Sequence, residues 1–298
     1  MNDTKTKKLE QIAHGIRKRV LDLTIRQGGC YLSQALSSAE ILASLYGDIL
    51  NLGPSVAPKI PPRFSGVPIP GVHYLGADYN GKRGAENDRL LLSAAHYAVA
   101  VYAVLVETDR MAPEALLEFN TDGSTVEMIG AEHSPGMELT TGSFGQALSQ
   151  AGGIALGRRL KKERGHVWVF MSDGEYEEGQ TYEALQALSF HQLDNVHVIV
   201  DVNGQQVDGL TKDVIGIEPL KDRVKSFGAH VEVIDGHNIK AIQEASRVDH
   251  RNKPLVILAY TDTAKGIPLL NNRKPYLHYV RFKTRKEEEK MKAFLASM

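Results

Sequence analysis

Apolar residues at Leu9, Ile12, Ile16, Val20 and Leu23 recur at spacings of three and four, which predicts an amphipathic helix ending near Gly28 and Gly29. A second helix is predicted from about Ser37 to Leu50. Beyond Arg89 the pattern changes to short apolar runs: RLLLSA (89–94), VWVFM (167–171), VHVIVDV (196–202), HVEVI (230–234) and LVILAY (255–260). Continuous apolarity, in place of alternation, suits strands covered on both faces, and the intervening segments are long enough for crossover helices. The expected fold is therefore α/β: a doubly wound, mainly parallel sheet with helices on both faces.

Two stretches depart from this rhythm. Asn51 to Asp88 holds six of the twelve prolines (Pro54, Pro58, Pro61, Pro62, Pro68, Pro70), and it far exceeds the ~4–6 residues of a typical connection. It reads as a loop or lid, either a surface excursion or a substrate-facing cover. Residues 281–298 read as a charged terminal helix, most simply a solvated face. With 298 residues against ~150 per domain, the expectation is one large unit over 1–298 carrying the insertion at 51–88 and the tail.

Composition narrows the function classes. The chain carries 35 basic and 36 acidic residues, a formal charge of -1, without the basic surplus of a non-specific nucleic-acid binder. Its only cysteine, Cys30, leaves no intrachain disulfide and no cysteine-built metal site, so a reducing compartment is the default. The amino terminus is polar, and no apolar run approaches the ~18 residues of a membrane span. These readings predict a cytoplasmic protein that engages neither nucleic acid nor membrane.

In doubly wound sheets, ligands bind at the carboxyl ends of the strands. Ser172-Asp173-Gly174-Glu175 follows VWVFM, and Asn203-Gly204-Gln205 follows at the end of the next run, with thirty positions between Asp173 and Asn203. A carboxylate, an amide oxygen and an exposed backbone carbonyl at Gln205 supply three hard oxygen ligands, which suit Mg²⁺ or Ca²⁺. Mg²⁺ commonly completes its shell with phosphate oxygens and water, so a bound diphosphate is implied. Each pair alone has a plainer reading: Asp173 as a helix cap, Asn203-Gly204 as a turn.

Taken together, the two sites resemble the thiamine-diphosphate signature of Gly-Asp-Gly, about thirty residues, then Asn. Thr140 to Ser149 (TTGSFGQALS) is similar to the TTGSLGQGLS segment of transketolases and precedes a helix crowded with small residues. Asp88 to His96 resembles DRFVLSNGHA, Asp173 to Gly179 resembles GDGExxEG, and Thr261 to Pro268 resembles TxKGKG. The four motifs stand in the family's order, and the chain is identified as similar to the first, diphosphate-binding domain of a transketolase.

The resemblance implies thiamine diphosphate and a divalent ion, Mg²⁺ or Ca²⁺, as cofactors. It implies Asp173, Asn203 and Gln205 as metal ligands. Gly174 and Glu175 belong to the same diphosphate motif, while His96 would touch the diphosphate and Gly142 and Phe144 would line the rings. Glu178 and Glu183 match acidic positions that link paired active sites across the family's dimer interface, and His133 and His278 stand near its substrate-contacting histidines. The carboxylate that activates the aminopyrimidine lies in a second domain of the family, so the expected protein is the amino-terminal subunit of a split transketolase. It would move a two-carbon ketol unit from a ketose to an aldose together with a carboxy-terminal subunit, in an assembly of two plus two. Two departures stand out: Ser172 replaces the first glycine of Gly-Asp-Gly, and Gly29-Cys30-Tyr31-Leu32-Ser33-Gln34 replaces an early Gly-His-Pro-Gly-Gly, which points to a specialised sugar. The alternatives are the alpha subunit of a 2-oxo-acid dehydrogenase and a non-catalytic thiamine-fold binding subunit.

Overall fold

The computed structural model describes residues 3–64, 66 and 75–298; Pro68 and Pro70 of the proline-rich stretch lie outside them. Helices α1 (Asp3–Gln27) and α2 (Leu32–Ser44) come first, α2 running on as a π-turn over Leu45–Ile49. Strand β1 (Arg89–Leu92), α3 (Ala98–Glu107), α4 (Gln146–Leu160), β2 (Val167–Ser172), α5 (Gly179–Phe190) and β3 (Val196–Val202) follow. A two-residue hairpin, β4 (Gln205–Gln206) and β5 (Gly209–Leu210), leads to α6 (Thr211–Val214) and α7 (Leu220–Ser226). The chain then forms β6 (His230–Asp235), α8 (Ile239–Ala245), β7 (Leu255–Tyr260) and α9 (Arg285–Ser297).

Five strands form one sheet in the order β1-β2-β3-β7-β6, and every pairing is parallel. Leu90, Leu92, Trp168, Phe170, Ile199 and Ile257 face a layer built from α1, α2, α3 and α8. Leu91, Val169, Met171, Val198, Val200 and Leu258 face α4, α5 and α7. Alternate residues of each strand thus feed opposite cores, which is why the runs read as unbroken apolar stretches. Each large side chain taken fully from water contributes about 1.5–3 kcal/mol, so the central strands anchor both layers.

Four expectations shift. Helix α2 begins at Leu32 and not at Ser37, and all of its residues are buried. Ser33, Gln34, Ser37 and Ser38 mimic a loop in sequence, but their polar atoms find partners, as with Ser38 Oγ donating to the Gln34 carbonyl at 2.6 Å. Strand β1 stops at Leu92, because Ser93 turns to donate to Glu175. Strand β6 is an edge strand with Val233 44% exposed, so it lacks the two-sided cover of its neighbours. In α9, Met291 is buried and Phe294, Leu295 and Met298 pack against the core, so this helix is more than a solvated face.

The described part of the proline-rich stretch is tied down. Val56 N donates to the Asp78 carbonyl at 3.0 Å, Tyr79 Oη to the Pro58 carbonyl at 2.7 Å, and Ala112 N to the Lys59 carbonyl at 2.8 Å.

Candidate cofactor site

The strand ends set the site. After β2 the chain enters a 3₁₀ turn, Asp173–Glu177, and after β3 it reaches Asn203 and Gly204. Gly204 takes φ +71°, a left-handed conformation that glycine adopts without strain. One carboxylate links the two ends: Asp173 Oδ1 accepts from Gly174 N at 3.0 Å and Oδ2 from Gly204 N at 2.7 Å.

Beneath Asn203 lies a residue that the motif comparison did not single out. Asp201 is fully buried at the end of β3 and accepts from Ser37 Oγ at 2.5 Å, Tyr97 Oη at 2.8 Å, Asn203 Nδ2 at 3.1 Å and Thr261 Oγ1. Tyr97 Oη also accepts from Asn203 Nδ2 at 3.1 Å, while Asn203 Oδ1 accepts from Gln205 N at 3.0 Å. Four elements therefore converge on one carboxylate that fixes the Asn203 amide. An acid two positions before Asn203, inside a strand, is the signal that could have revealed it.

Above these groups opens a cleft of about 310 Å³ lined by His96, Phe144, Asp173, Gly174, Asn203, Gln205 and His278, with Ser33, Gln34 and Thr263 at its wall. Asp173, Glu177, Glu178 and Asp208 line it, and among the described residues no Lys or Arg does. Burial, and after it the nearby Asp201 carboxylate, hold the Asp173 carboxyl well above the usual range. Glu177 is raised by burial and then by Glu178 and Asp208. Burial, followed by His278, pulls the His96 imidazole down to about 3, so the ring is neutral at pH 7 and offers one donor and one acceptor. The rings of His96 and His278 lie 5.1 Å apart, with Tyr31 5.3 Å from the first and 5.5 Å from the second.

This chemistry fits a divalent cation holding an anionic group. Buried carboxylates without a cationic partner are costly, and neither Asp173 nor Asp201 pairs with Lys, Arg or His among the described residues. A divalent cation would offset the negative charge of these carboxylates and so favour entry of an anionic group such as a diphosphate. Among the described residues no three His, Cys, Asp or Glu side chains converge as a metal site. The groups that would hold a cation are the Asp173 carboxylate, the Asn203 amide and the Gln205 carbonyl, all three residues lining the cleft.

The structure separates the remaining sequence candidates. Glu178 lines the cleft. Glu175 does not: it is fully buried and accepts from Ser172 N at 2.9 Å, Gly145 N at 3.2 Å and Ser93 Oγ. Its carboxylate clamps the β1 end, the α4 start and the β2 end, so it positions the cleft from behind. Gly142, at φ +109°, sits against Ala95, beside His96 in the chain, but is not in the wall. His133 lies elsewhere, stacked 4.4 Å from Phe64 with Nε2 3.0 Å from Glu127. Glu183 is exposed and lines a groove of about 260 Å³ between α4 and α5 with Gly152 and Gly153, apart from the cleft. No described residue of the proline-rich stretch lines the cleft either.

Comparison with known proteins places this geometry in context. The family profile described as "Transketolase, thiamine diphosphate binding domain" matches residues 74–278. A transketolase family protein of Sinorhizobium fredii is 35% identical over 89% of this chain and 88% of its own. A 6-deoxy-6-sulfo-D-fructose transketolase subunit of a Clostridium species is 32% identical over 87% of this chain and 86% of its own. The crystal structure of transketolase from Campylobacter jejuni has the same fold, with a TM-score of 0.77 at 22% identity, and covers 99% of this chain; the chain spans 43% of that protein.

Proposed function

Because the chain belongs to the transketolase family through its thiamine diphosphate binding domain, we propose that it is the diphosphate-holding, amino-terminal subunit of a split transketolase. In this reading 1–298 is one functional unit that works in the cytoplasm with a separate carboxy-terminal subunit, as two copies of each. The substrates are a ketose donor and an aldose acceptor, and the Clostridium relative's name, which specifies a sugar and a subunit, supports this class. The observation that carries the proposal is the pairing of Asp173 and Asn203 at adjacent strand ends in an acidic cleft free of Lys and Arg.

Asp173, Asn203 and the Gln205 carbonyl would hold Mg²⁺ or Ca²⁺, and with it the diphosphate of thiamine diphosphate. When bound, that cofactor supplies an electron sink for making and breaking the bond to a two-carbon ketol unit. The chain's own residues then have separate tasks. Gly174 lets the backbone approach the diphosphate. Phe144 gives the cleft an apolar wall, while neutral His96 and His278 offer hydrogen bonds on its substrate side. Asp201 holds the Asn203 amide in place, and Glu175 fixes the three segments around it. Glu178 lines the cleft and Glu183 the α4–α5 groove, and exposed Leu160 and Phe190, at the ends of those two helices, offer apolar surface to the partner subunit.

The test is an acceptor-dependent ketol-transfer assay with thiamine diphosphate and Mg²⁺, run with and without the carboxy-terminal subunit. Turnover only when both chains are present is the expected result. Full turnover by this chain alone, or decarboxylation of a 2-oxo acid in place of ketol transfer, would overturn the proposal. Asp173→Ala and Asn203→Ala are each expected to abolish turnover.

A further inference from the structure

His278 reaches the cofactor cleft on a stretch outside any helix or strand. What holds it there is the segment that replaces the family's early Gly-His-Pro-Gly-Gly. Cys30 and Val280 exchange backbone hydrogen bonds of 3.1 and 2.9 Å, Ser33 Oγ donates to the Leu277 carbonyl at 2.7 Å, and Gln34 Nε2 donates to the His278 carbonyl at 3.0 Å. Gly29 permits this closeness, because a Cβ there would stand 2.8 Å from both Tyr279 and Arg281. The Tyr31 ring meets the His278 ring edge-on, 5.5 Å between centroids and 82° between planes.

Gln34 also reaches the ring itself. It is buried, lines the cleft, and brings Nε2 to 3.4 Å from His278 Nδ1. The His278 carbonyl decides which end of the amide faces it: a carbonyl only accepts, so the NH₂ turns towards it and Oε1 is left 3.0 Å from the Ser33 hydroxyl. An amide NH₂ only donates, so the neighbouring Nδ1 keeps its lone pair, and a neutral ring then carries its proton on Nε2. Burial, partly offset by the Asp208 carboxylate, holds this imidazole below its ordinary value, which leaves it neutral at pH 7. Among the described residues Nε2 has no hydrogen-bond partner, and the His96 ring, also in the cleft wall, is 5.1 Å from the His278 ring.

We infer that Gln34 is a positioning residue that fixes His278 as its Nε2–H tautomer, so that the ring meets a sugar oxygen in the cofactor cleft as a hydrogen-bond donor. The tautomer follows from the pairing, whereas the sugar oxygen rests on the ketol-transfer reading. A donor held in place stabilises an oxygen that gains negative charge, as the oxygen of an attacked carbonyl does; an acceptor in the same place would oppose it. Without a partner at Nδ1 the ring is free to carry its proton on either nitrogen, and His278 would offer the donor only part of the time.

The experiment labels the purified chain with ¹⁵N-histidine and reads the tautomer from long-range ¹H–¹⁵N correlation spectra above pH 7, the His278 signals being those missing in His278→Phe. The wild type is expected to show Nδ1 bare and Nε2 protonated. Gln34→Leu, of similar bulk but without a donor, should move the ring towards the Nδ1–H tautomer. Gln34→Glu, which sets an acceptor beside Nδ1, should place a proton there and raise the pKa of the ring. Unchanged signals from His133 and His250, which lie outside the cleft wall, show that a variant is folded. In the two-chain ketol-transfer assay Gln34→Leu is expected to lower kcat/KM about tenfold. An Nδ1–H ring in the wild type, a tautomer unmoved in both folded variants, or an unchanged kcat/KM in a variant whose tautomer has moved would overturn the inference. If the wild-type pair transfers no ketol unit, the ketol-transfer reading fails, and the spectra alone decide whether Gln34 sets the tautomer.

Discussion

Asp201 shapes the candidate site without lining the cleft itself. Its two oxygens accept from Ser37, Tyr97, Asn203 and Thr261, and so fix which way the Asn203 amide faces. Partners behind a metal ligand are typically worth ~10–100-fold in affinity. Asp201→Asn is therefore expected to weaken Mg²⁺-dependent thiamine diphosphate binding by that factor while circular dichroism shows a folded chain; unchanged affinity would remove the positioning role. Sequence comparison identified Asp173 and Asn203 because each stands at a strand end beside a glycine. It passed over Asp201 because the task of that acid shows only once Ser37, Tyr97 and Thr261, distant in sequence, converge on it. His133 was named for its resemblance to a substrate-contacting histidine of the family; in this chain it pairs with Glu127 and stacks on Phe64, apart from the residues that line the cleft.

Elements were legible where burial and period agree. β2, β3 and β7 are buried on both faces, and their apolar runs gave their positions to within a residue. The start of α2 was hidden because Ser33 and Gln34 are polar yet buried, and the tertiary structure supplies their partners, the Leu277 and His278 carbonyls. Glu175 belongs to this scale, since it joins the end of β1, the start of α4 and the end of β2. Glu175→Ala would leave Ser172 N, Gly145 N and Ser93 Oγ without their acceptor, and is expected to cost about 2–4 kcal/mol of stability. Urea denaturation measures this; a loss within experimental error of zero would contradict the clamp.

Across the whole molecule the two ends of the strands behave differently. At the amino end of β3, opposite the cofactor cleft, His197 is buried with neither ring nitrogen hydrogen-bonded, 4.5 Å from the His166 ring and 4.9 Å from His250. Burial, and then these two neighbours, hold its pKa well below the ordinary value. The unfolded chain therefore takes up this proton first as the pH falls, so the stability contributed is complete above pH ~6.5 and is lost progressively below it, by up to about 1.4 kcal/mol per pH unit. Asp173, Glu175 and Asp201, whose carboxyls are raised, act in the opposite direction. The informative quantity is therefore the difference between wild type and His197→Phe in urea denaturation from pH 7.5 to 4.5. The variant is expected to lose less stability on acidification, and parallel curves would contradict the assignment.

At the carboxyl ends, the order of motifs in sequence already implied which strand ends meet. The approach of Arg281 to Gly29 was invisible there, because the two come together only through the Cys30–Val280 pairing. The account rests above all on the acidic cleft holding a metal-bound diphosphate. Calorimetric titration of thiamine diphosphate into the chain tests this most directly, with and without Mg²⁺ and in Asp173→Ala. Saturable binding that requires Mg²⁺ and disappears in Asp173→Ala is the predicted result; binding of equal affinity without Mg²⁺, or in Asp173→Ala, would contradict it.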